Sequence, residues 1–159
     1  MPKDTFKVNQ FSGHLALLSN ICDTGFTIAA QIRFTRPTLL FVTYDRKWIE
    51  RYNEAGYLFS DPVVAWGMTH LGAIRWNALK EQDIAGVLSD ARRHGLRNGW
   101  TYATGNDAAR SVASFSRSTA FSAENVALIS SIIDDIHALT EGFDQFTPQT
   151  QAALRALSV

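Results

Sequence analysis

Apolar side chains recur at two different spacings along the first part of the chain, and these spacings predict its first elements. Steps of three and four residues indicate one face of a helix; they occur at Val8, Phe11, Leu15, Leu18 and Cys22. Gly25 follows and ends this helical stretch. Over residues 26–34 the step becomes two, which predicts a strand. The side chains expected to share its buried face are Phe26, Ile28, Ala30, Ile32 and Phe34.

The middle of the chain combines short apolar stretches with residues that typically start or stop an element. Arg36-Pro37 indicates a turn, and residues 39–44 are predicted to form a second strand. Asp45 can cap a helix that ends at Gly56, because Asp is favoured at the N-cap and Gly just past the C-terminus. The apolar side of that helix is Trp48, Tyr52 and Ala55. Asp61-Pro62 opens a further helix, and residues 73–76 are expected to be extended.

The second half of the chain predicts one more helix, two strands and a long final helix. The helix is expected at 80–94 and the strands at 96–103 and 111–117, with a turn near 105–107. Ser122 can cap the long helix, which ends at Gly142. Its apolar side is Val126, Ile129, Ile133 and Ile136. This order predicts an α+β fold, a three-layer α/β/α sandwich with a central, mainly antiparallel sheet of about five strands.

Composition restricts the classes of protein to which the chain can belong. Its 159 residues suit one domain, and 46% hydrophobic content allows a sizeable core. The formal net charge is zero, whereas a direct nucleic-acid partner usually requires a basic excess, so this segment is not expected to bind DNA alone. A local cluster of basic residues is more typical of a solvated surface than of a nucleic-acid-binding patch. It consists of Arg92, Arg93, His94 and Arg97.

No pattern of catalytic or metal-binding residues emerges from the sequence. The single cysteine, Cys22, excludes an internal disulfide, and no two of the four histidines have zinc-ligand spacing. Neither a nucleophile-elbow motif nor a glycine-rich phosphate loop is present, so neither an enzyme nor a cofactor is expected. The sequence contains no signal peptide and no apolar stretch of membrane-spanning length, which favours the cytoplasm.

A segment from Tyr44 to Pro62 carries a specific motif. It reads Y-D-R-K-W-I-E-R-Y-N-E-A-G-Y-L-F-S-D-P, and it is followed by Trp76 and then by Gly95-Leu96 with Gly99. This combination resembles the autoinducer-binding domain of LuxR-type quorum-sensing transcriptional regulators over nearly the whole chain. The resemblance implies a closed pocket for an N-acyl homoserine lactone, between the sheet and one helical layer.

The resemblance also implies a role for each motif residue. Trp48 would donate its indole N–H to the lactone carbonyl, Asp61 would accept the ligand amide N–H, and Tyr44 would donate its hydroxyl to the acyl carbonyl. The remaining implied pocket residues are Tyr52, Val63 and Trp76, with Thr101 and Ser114 on the strands. Such a ligand needs polar partners, because a buried amide or carbonyl without one costs a few kcal/mol.

Simpler interpretations of the same residues remain open. Asp61 before Pro62 is also a good helix N-cap, and a residue can both cap a helix and contact a ligand. Trp48 and Tyr52, four residues apart, are equally typical of a core stripe. Only their joint spacing with Tyr44 favours a binding site.

The resemblance further divides the chain and suggests partners. Residues 1–143 would form the autoinducer-binding domain, and residues 144–159 a linker and the truncated start of a helix-turn-helix domain, which Thr147-Pro148 would open. The family dimerises through this domain, so a homodimer is expected. The alternative is a regulator without a reading head that forms heterodimers with a full-length relative or sequesters ligand. A small hydrolase using the same cavity is a third hypothesis.

Overall fold

A five-stranded antiparallel sheet forms the centre of the molecule, with strand order β2-β1-β5-β4-β3. The computed structural model describes residues 2–157, with side chains from residue 5. The strands are β1 Phe26–Arg33, β2 Arg36–Val42, β3 Gly72–Arg75, β4 Trp100–Gly105 and β5 Arg110–Phe115. The helices are α1 Pro2–Ile21, α2 Arg46–Glu54, α3 Pro62–Thr69, α4 Val87–Arg93, α5 Ala123–Thr140 and α6 Pro148–Ala156. Three 3-10 segments lie at Tyr57–Phe59, Trp76–Gln82 and Phe143–Gln145.

Helices α1, α5 and α6 cover one face of the sheet and enclose the larger core. Phe11 and Leu18 of α1, Ile129 and Ile136 of α5 and Leu154 of α6 are all less than 2% exposed. They pack against sheet residues that alternate along the strands, among them Ile28, Phe41, Ala113 and Phe115. The apolar stripes predicted for the first and the long final helix are therefore the faces that these helices bury.

Helices α2, α3 and α4 and the 3-10 segment at 76–82 form a second apolar cluster. Its buried members are Trp48, Tyr57, Val63, Trp76, Leu79, Val87, Ala91 and Leu96. One row of sheet residues lies on the same side, because Thr27 is opposite Ser114, Ser114 opposite Thr101, and Thr101 opposite Ile74. Helices on both faces of an antiparallel sheet confirm the predicted three-layer α+β fold.

Side-chain caps set the helix starts that the sequence indicates. Asp45 accepts from the backbone N–H of Lys47 at 2.8 Å, and Ser122 forms a capping box with Asn125. Asp61 caps α3, and Thr147 caps α6. The four predicted helix starts are therefore confirmed.

Two predicted elements have the wrong extent. The helix expected at 80–94 is a 3-10 segment that ends at Gln82, followed by α4 from Val87, because the Asp83 carboxylate accepts from the backbone N–H of Val87 and Leu88 and starts a new helix. The strand expected at 96–103 begins only at Trp100, since the chain remains bonded to the end of α4 through the N–H of Leu96.

The first hairpin also differs from the prediction. Gln31 adopts a φ of 52° at a β-bulge, where the pairing of β1 with β5 shifts. Beyond the bulge the expected alternation fails: Phe34 lies in the turn and is 97% exposed. Arg36 and Pro37 belong to β2, and the turn lies at residues 34–35.

The C-terminal segment packs on the first helix. Leu154 is fully buried and Thr150 is 3% exposed, and α6 contacts α1 in the larger core. A boundary at residue 143 and a helix-turn-helix start at 144–159 stay predictions. Within residues 2–157, no helix has both the length and the apolar character needed to span a membrane.

Candidate ligand-binding site

Helix α2 contributes two aromatic side chains one turn apart. Trp48 is 4% exposed, and its ring lies 5.8 Å from that of Tyr52, nearly edge to face. No hydrogen bond joins the indole nitrogen of Trp48 to a residue of the described range. Trp48 therefore offers an indole N–H donor in a layer rich in aromatic side chains.

Asp61 has two structural contacts, one for each carboxylate oxygen. Oδ1 accepts from the backbone N–H of Val63 at 2.9 Å and caps α3, while Oδ2 accepts from the Tyr52 hydroxyl at 2.8 Å. Burial raises the pKa of Asp61, and the hydrogen bond from Tyr52 partly opposes this. Burial also raises the pKa of Tyr52, and the charge of Asp61 raises it further. The capping role predicted for Asp61 is real, and it leaves lone pairs on the carboxylate for another donor.

Tyr44, just after β2, has a hydroxyl that is buried without a hydrogen-bond partner among the described residues. Burial raises the pKa of this phenol; a polar interaction with the Thr27 side chain opposes the effect, although the two side chains do not meet hydrogen-bond geometry, and the charge of Asp61 adds to it. Tyr44, Tyr52 and Asp61 are thus close enough to influence one another's titration. An unpaired buried hydroxyl costs about 1–3 kcal/mol, so its presence calls for an explanation.

A second polar group joins the 3-10 segment to the sheet. The indole N–H of Trp76 donates to Thr101 Oγ1 at 3.0 Å, and Thr101 bonds Ser114 Oγ at 2.8 Å. The Trp76 ring lies directly on Gly99, where a Cβ would come within 2.0 Å of the ring. Gly99 is therefore needed for this position of Trp76.

The structure places all eight predicted site residues on the same side of the sheet, in two groups. Tyr44, Trp48, Tyr52 and Asp61 form one group, and Trp76, Thr101 and Ser114 the other. Val63 is 6% exposed and belongs to the apolar cluster that also contains Trp48 and Trp76. Two clefts of about 480 and 760 Å³ open beside this cluster, and of the eight residues only Trp76 lines either of them.

Sequence reasoning missed a buried carboxylate behind Trp48. Asp90 of α4 is 5% exposed and accepts from Tyr57 Oη at 2.6 Å and from Arg51 Nε at 2.7 Å. These hydrogen bonds, that from Arg51 foremost, lower the pKa of Asp90. The Tyr57 and His94 rings both lie within 6 Å of the Trp48 ring. The Gly-Tyr pair of the motif could have indicated Tyr57. No feature of the sequence indicated Asp90.

The part of the chain that the structure describes contains no candidate metal site. No three His, Cys, Asp or Glu side chains come together there. The polar groups facing the sheet are instead single donors and acceptors set in aromatic and aliphatic surroundings, as in pockets for small organic molecules.

An antiparallel sheet with such groups in one of its two helical layers is typical of a small-molecule-binding domain, and this is the class of protein that the fold and the site define. Residues 24–144 match the family described as "Autoinducer binding domain". The chain therefore belongs to the autoinducer-binding domain family of LuxR-type quorum-sensing regulators.

Individual relatives agree with this assignment. The transcriptional activator protein LuxR of Aliivibrio fischeri is 33% identical over 100 residues, which cover 60% of this chain and 40% of LuxR. The structure of SdiA in complex with octanoyl-rac-glycerol has a TM-score of 0.63 at 20% identity, covering 89% of this chain and 63% of SdiA. The N-acylhomoserine lactone dependent factor CepR2 of Burkholderia cenocepacia has a TM-score of 0.61 at 16% identity, covering 91% and 97%.

The chain spans less than half the length of the curated relatives it matches. The two structural matches establish the fold. The curated relatives are transcriptional activators or a regulatory protein, in agreement with a receptor rather than an enzyme.

Proposed function

We propose that this chain binds an N-acyl homoserine lactone, or an amphipathic signal of similar shape, as the sensor domain of a LuxR-type regulator. The observation that carries the proposal is the buried Tyr44 hydroxyl, which has no hydrogen-bond partner among the described residues, near the half-buried carboxylate of Asp61. A donor and an acceptor near each other in an aromatic layer suit a guest that presents both a carbonyl and an amide N–H.

Each polar group of such a ligand has a partner in this arrangement. Tyr44 donates its hydroxyl to the acyl carbonyl, Asp61 accepts the amide proton, and Trp48 donates its indole N–H to the lactone carbonyl. A hydrogen bond to the charged carboxylate contributes roughly 1.5–3 kcal/mol. These pairings supply the polar contacts without which burial of the ligand head would be unfavourable.

The remaining site residues shape the chamber around the ligand. Tyr52 and Val63 line it, and Trp76 covers the lactone ring from a position fixed by its hydrogen bond to Thr101. Thr101 and Ser114 form its floor on the sheet. Each acyl methylene that is buried against apolar walls adds about 0.8 kcal/mol to binding.

The ligands named for the structural neighbours support an acyl chain with a polar head. SdiA was solved with octanoyl-rac-glycerol, and CepR2 is described as dependent on an N-acylhomoserine lactone. Both compounds join an acyl tail to a small oxygen-rich head. We propose that this chain binds a ligand of the same chemistry and that it acts in the cytoplasm.

Thermal melting with a series of lactones of increasing acyl length, and with octanoylglycerol, tests the proposal. A ligand that binds only the folded state raises the melting temperature. Asp61→Ala should abolish that rise. The matched control is Asp45→Ala, because Asp45 is also a helix N-cap and its loss costs a similar stability, roughly 1 kcal/mol.

The two variants separate capping from ligand binding. Asp45→Ala should melt lower than the parent protein and keep the full ligand response. Melting curves that no lactone or acylglycerol shifts, or an equal response in both variants, would contradict the proposal.

A further inference from the structure

The larger of the two clefts has Trp76 in its wall. It has a volume of about 760 Å³, and its walls come from the 3-10 segment Trp76–Gln82, from α4, from residues 96–100 and from residues 118–121. That volume lies in the range of small-molecule sites, about 300–1,000 Å³. Of the residues that the proposed lactone site uses, only Trp76 lines the cleft.

Four cationic side chains surround this cleft. They are Arg75, Lys80, Arg92 and Arg97, and all four are exposed. None of them forms an ion pair with another residue in the described part of the chain. The single carboxylate in the lining, Asp83, already accepts from two backbone N–H groups of α4.

This excess of positive charge is local. The chain as a whole has equal numbers of basic and acidic residues. A cleft lined by one sign of charge concentrates ions of the opposite sign. Arg92 and Arg97, which the sequence alone assigned to a solvated surface, thus face a common space with two cations from another segment.

The cleft also has apolar walls. Trp76, Trp100 and Phe121 contribute rings, and Leu88 and Leu96 contribute aliphatic surface. The guanidinium of Arg75 lies 5.2 Å from the Trp100 ring centre. A guest that satisfies both features carries a negative group and an apolar or flat body.

We propose that this cleft is a second ligand site, which binds a small organic anion with an apolar body, bearing either a carboxylate or a phosphate. The anionic group lies among the four cations, and the body lies against the aromatic wall. The site is distinct from the lactone chamber, and the two share Trp76 as a wall.

Calorimetric titration with decanoate and with adenosine monophosphate tests the proposal, because the two probes represent the aliphatic carboxylate and the flat phosphate. Inorganic phosphate reports on the charge alone. The test variant is Arg92→Gln with Arg97→Gln. Its matched control is Arg36→Gln with Lys47→Gln, which removes two exposed cations far from the cleft in sequence and outside its lining.

At least one organic probe should bind the parent protein, and the test variant should weaken that binding about tenfold, while the control changes it less than about twofold. High salt should also weaken it, because screening acts on exposed charges. The probe that binds shows whether the site takes an aliphatic carboxylate or a flat phosphate. Lactone should raise the melting temperature of the test variant as much as that of the parent protein. If lactone raises the melting temperature of neither protein, that result counts against the lactone site and not against the anion site.

Any of the following results would overturn the proposal. They are the absence of binding by both organic probes, binding of inorganic phosphate as tight as that of either probe, and an equal loss in the control variant. Competition between the probe and the lactone would overturn it as well, because the cleft would then be part of the lactone chamber.

Discussion

At the scale of single residues, Tyr44 distinguishes a binding site from an ordinary core. Its hydroxyl is buried without a hydrogen-bond partner among the described residues, whereas the hydroxyl of Tyr57, in the same apolar cluster, donates to Asp90 at 2.6 Å. A core selected only for stability would pair such a group or replace Tyr with Phe. The two tyrosines therefore allow a matched experiment.

Tyr44→Phe should stabilise the ligand-free protein and weaken ligand binding. Removing an unpaired hydroxyl relieves a desolvation cost of roughly 1 kcal/mol, which corresponds to a rise of about 2–4 °C in melting temperature. Loss of one donor to the ligand should weaken lactone affinity about tenfold. Melting curves with and without lactone measure both effects.

Tyr57→Phe is the control for this experiment. It deprives the buried Asp90 of a donor and should lower the melting temperature of the free protein. A fall in stability of the same size for Tyr44→Phe would mean that the Tyr44 hydroxyl has a structural partner, and it would contradict its assignment to the ligand.

At the scale of elements, a buried polar cluster joins β1, β5 and α5 on the opposite face of the sheet. Gln31 Nε2 donates to the His137 carbonyl at 2.8 Å, and Ser111 Oγ lies 2.6 Å from His137 Nδ1. The bulge at Gln31 makes this possible, because its backbone N–H then bonds Ser111 Oγ. The cluster fixes how the long helix sits on the sheet.

Burial lowers the pKa of His137, and the charges of Glu141 and Asp134 only partly oppose this. The unfolded chain therefore binds a proton near pH 6.5, while the folded chain binds it only at lower pH. The free energy of unfolding should fall as the pH drops below about 6.5, by at most about 1.4 kcal/mol per pH unit. Urea unfolding across this range measures the slope.

His137→Asn should remove most of that slope, whereas His70→Asn, at an exposed histidine stacked on Trp66, should leave it unchanged. An unaltered slope in the His137 variant would assign the pH dependence to other groups.

At the scale of the whole molecule, one helical layer is packed for stability and the other provides the candidate ligand contacts. Helices α1, α5 and α6 share a large apolar core, while the α2–α4 layer contains the unpaired Tyr44 hydroxyl and the half-buried Asp61. Ligand binding should therefore order the α2–α4 layer more than the other one.

The family resemblance also implies that this domain dimerises. We expect a dimer in sedimentation equilibrium, with tighter association when lactone is present. The expected coupling requires that lactone bind the dimer more tightly than the monomer, and association then tightens by the corresponding factor. A single monomeric species at every concentration, with and without lactone, would contradict this expectation.

The sequence by itself determined most of the elements and, through the family resemblance, the candidate site residues. Helix and strand periods depend on neighbours three, four or two residues away, and a cap such as Asp45 acts on its own first turn, so both can be deduced from local order. The resemblance of the segment from Tyr44 to Pro62 to the family motif pointed to Tyr44, Trp48 and Asp61, polar side chains that the fold places on one side of the sheet.

Only the tertiary structure decided which polar groups are paired. Asp90 meets Arg51 across 39 residues, and the bulge at Gln31 depends on Ser111, 80 residues away. The missing partner of Tyr44 and the cations around Trp76 are also properties of assembled surfaces. Periodicity assigns a side chain to a face of its own element, but burial and hydrogen bonding depend on what other elements bring to that face.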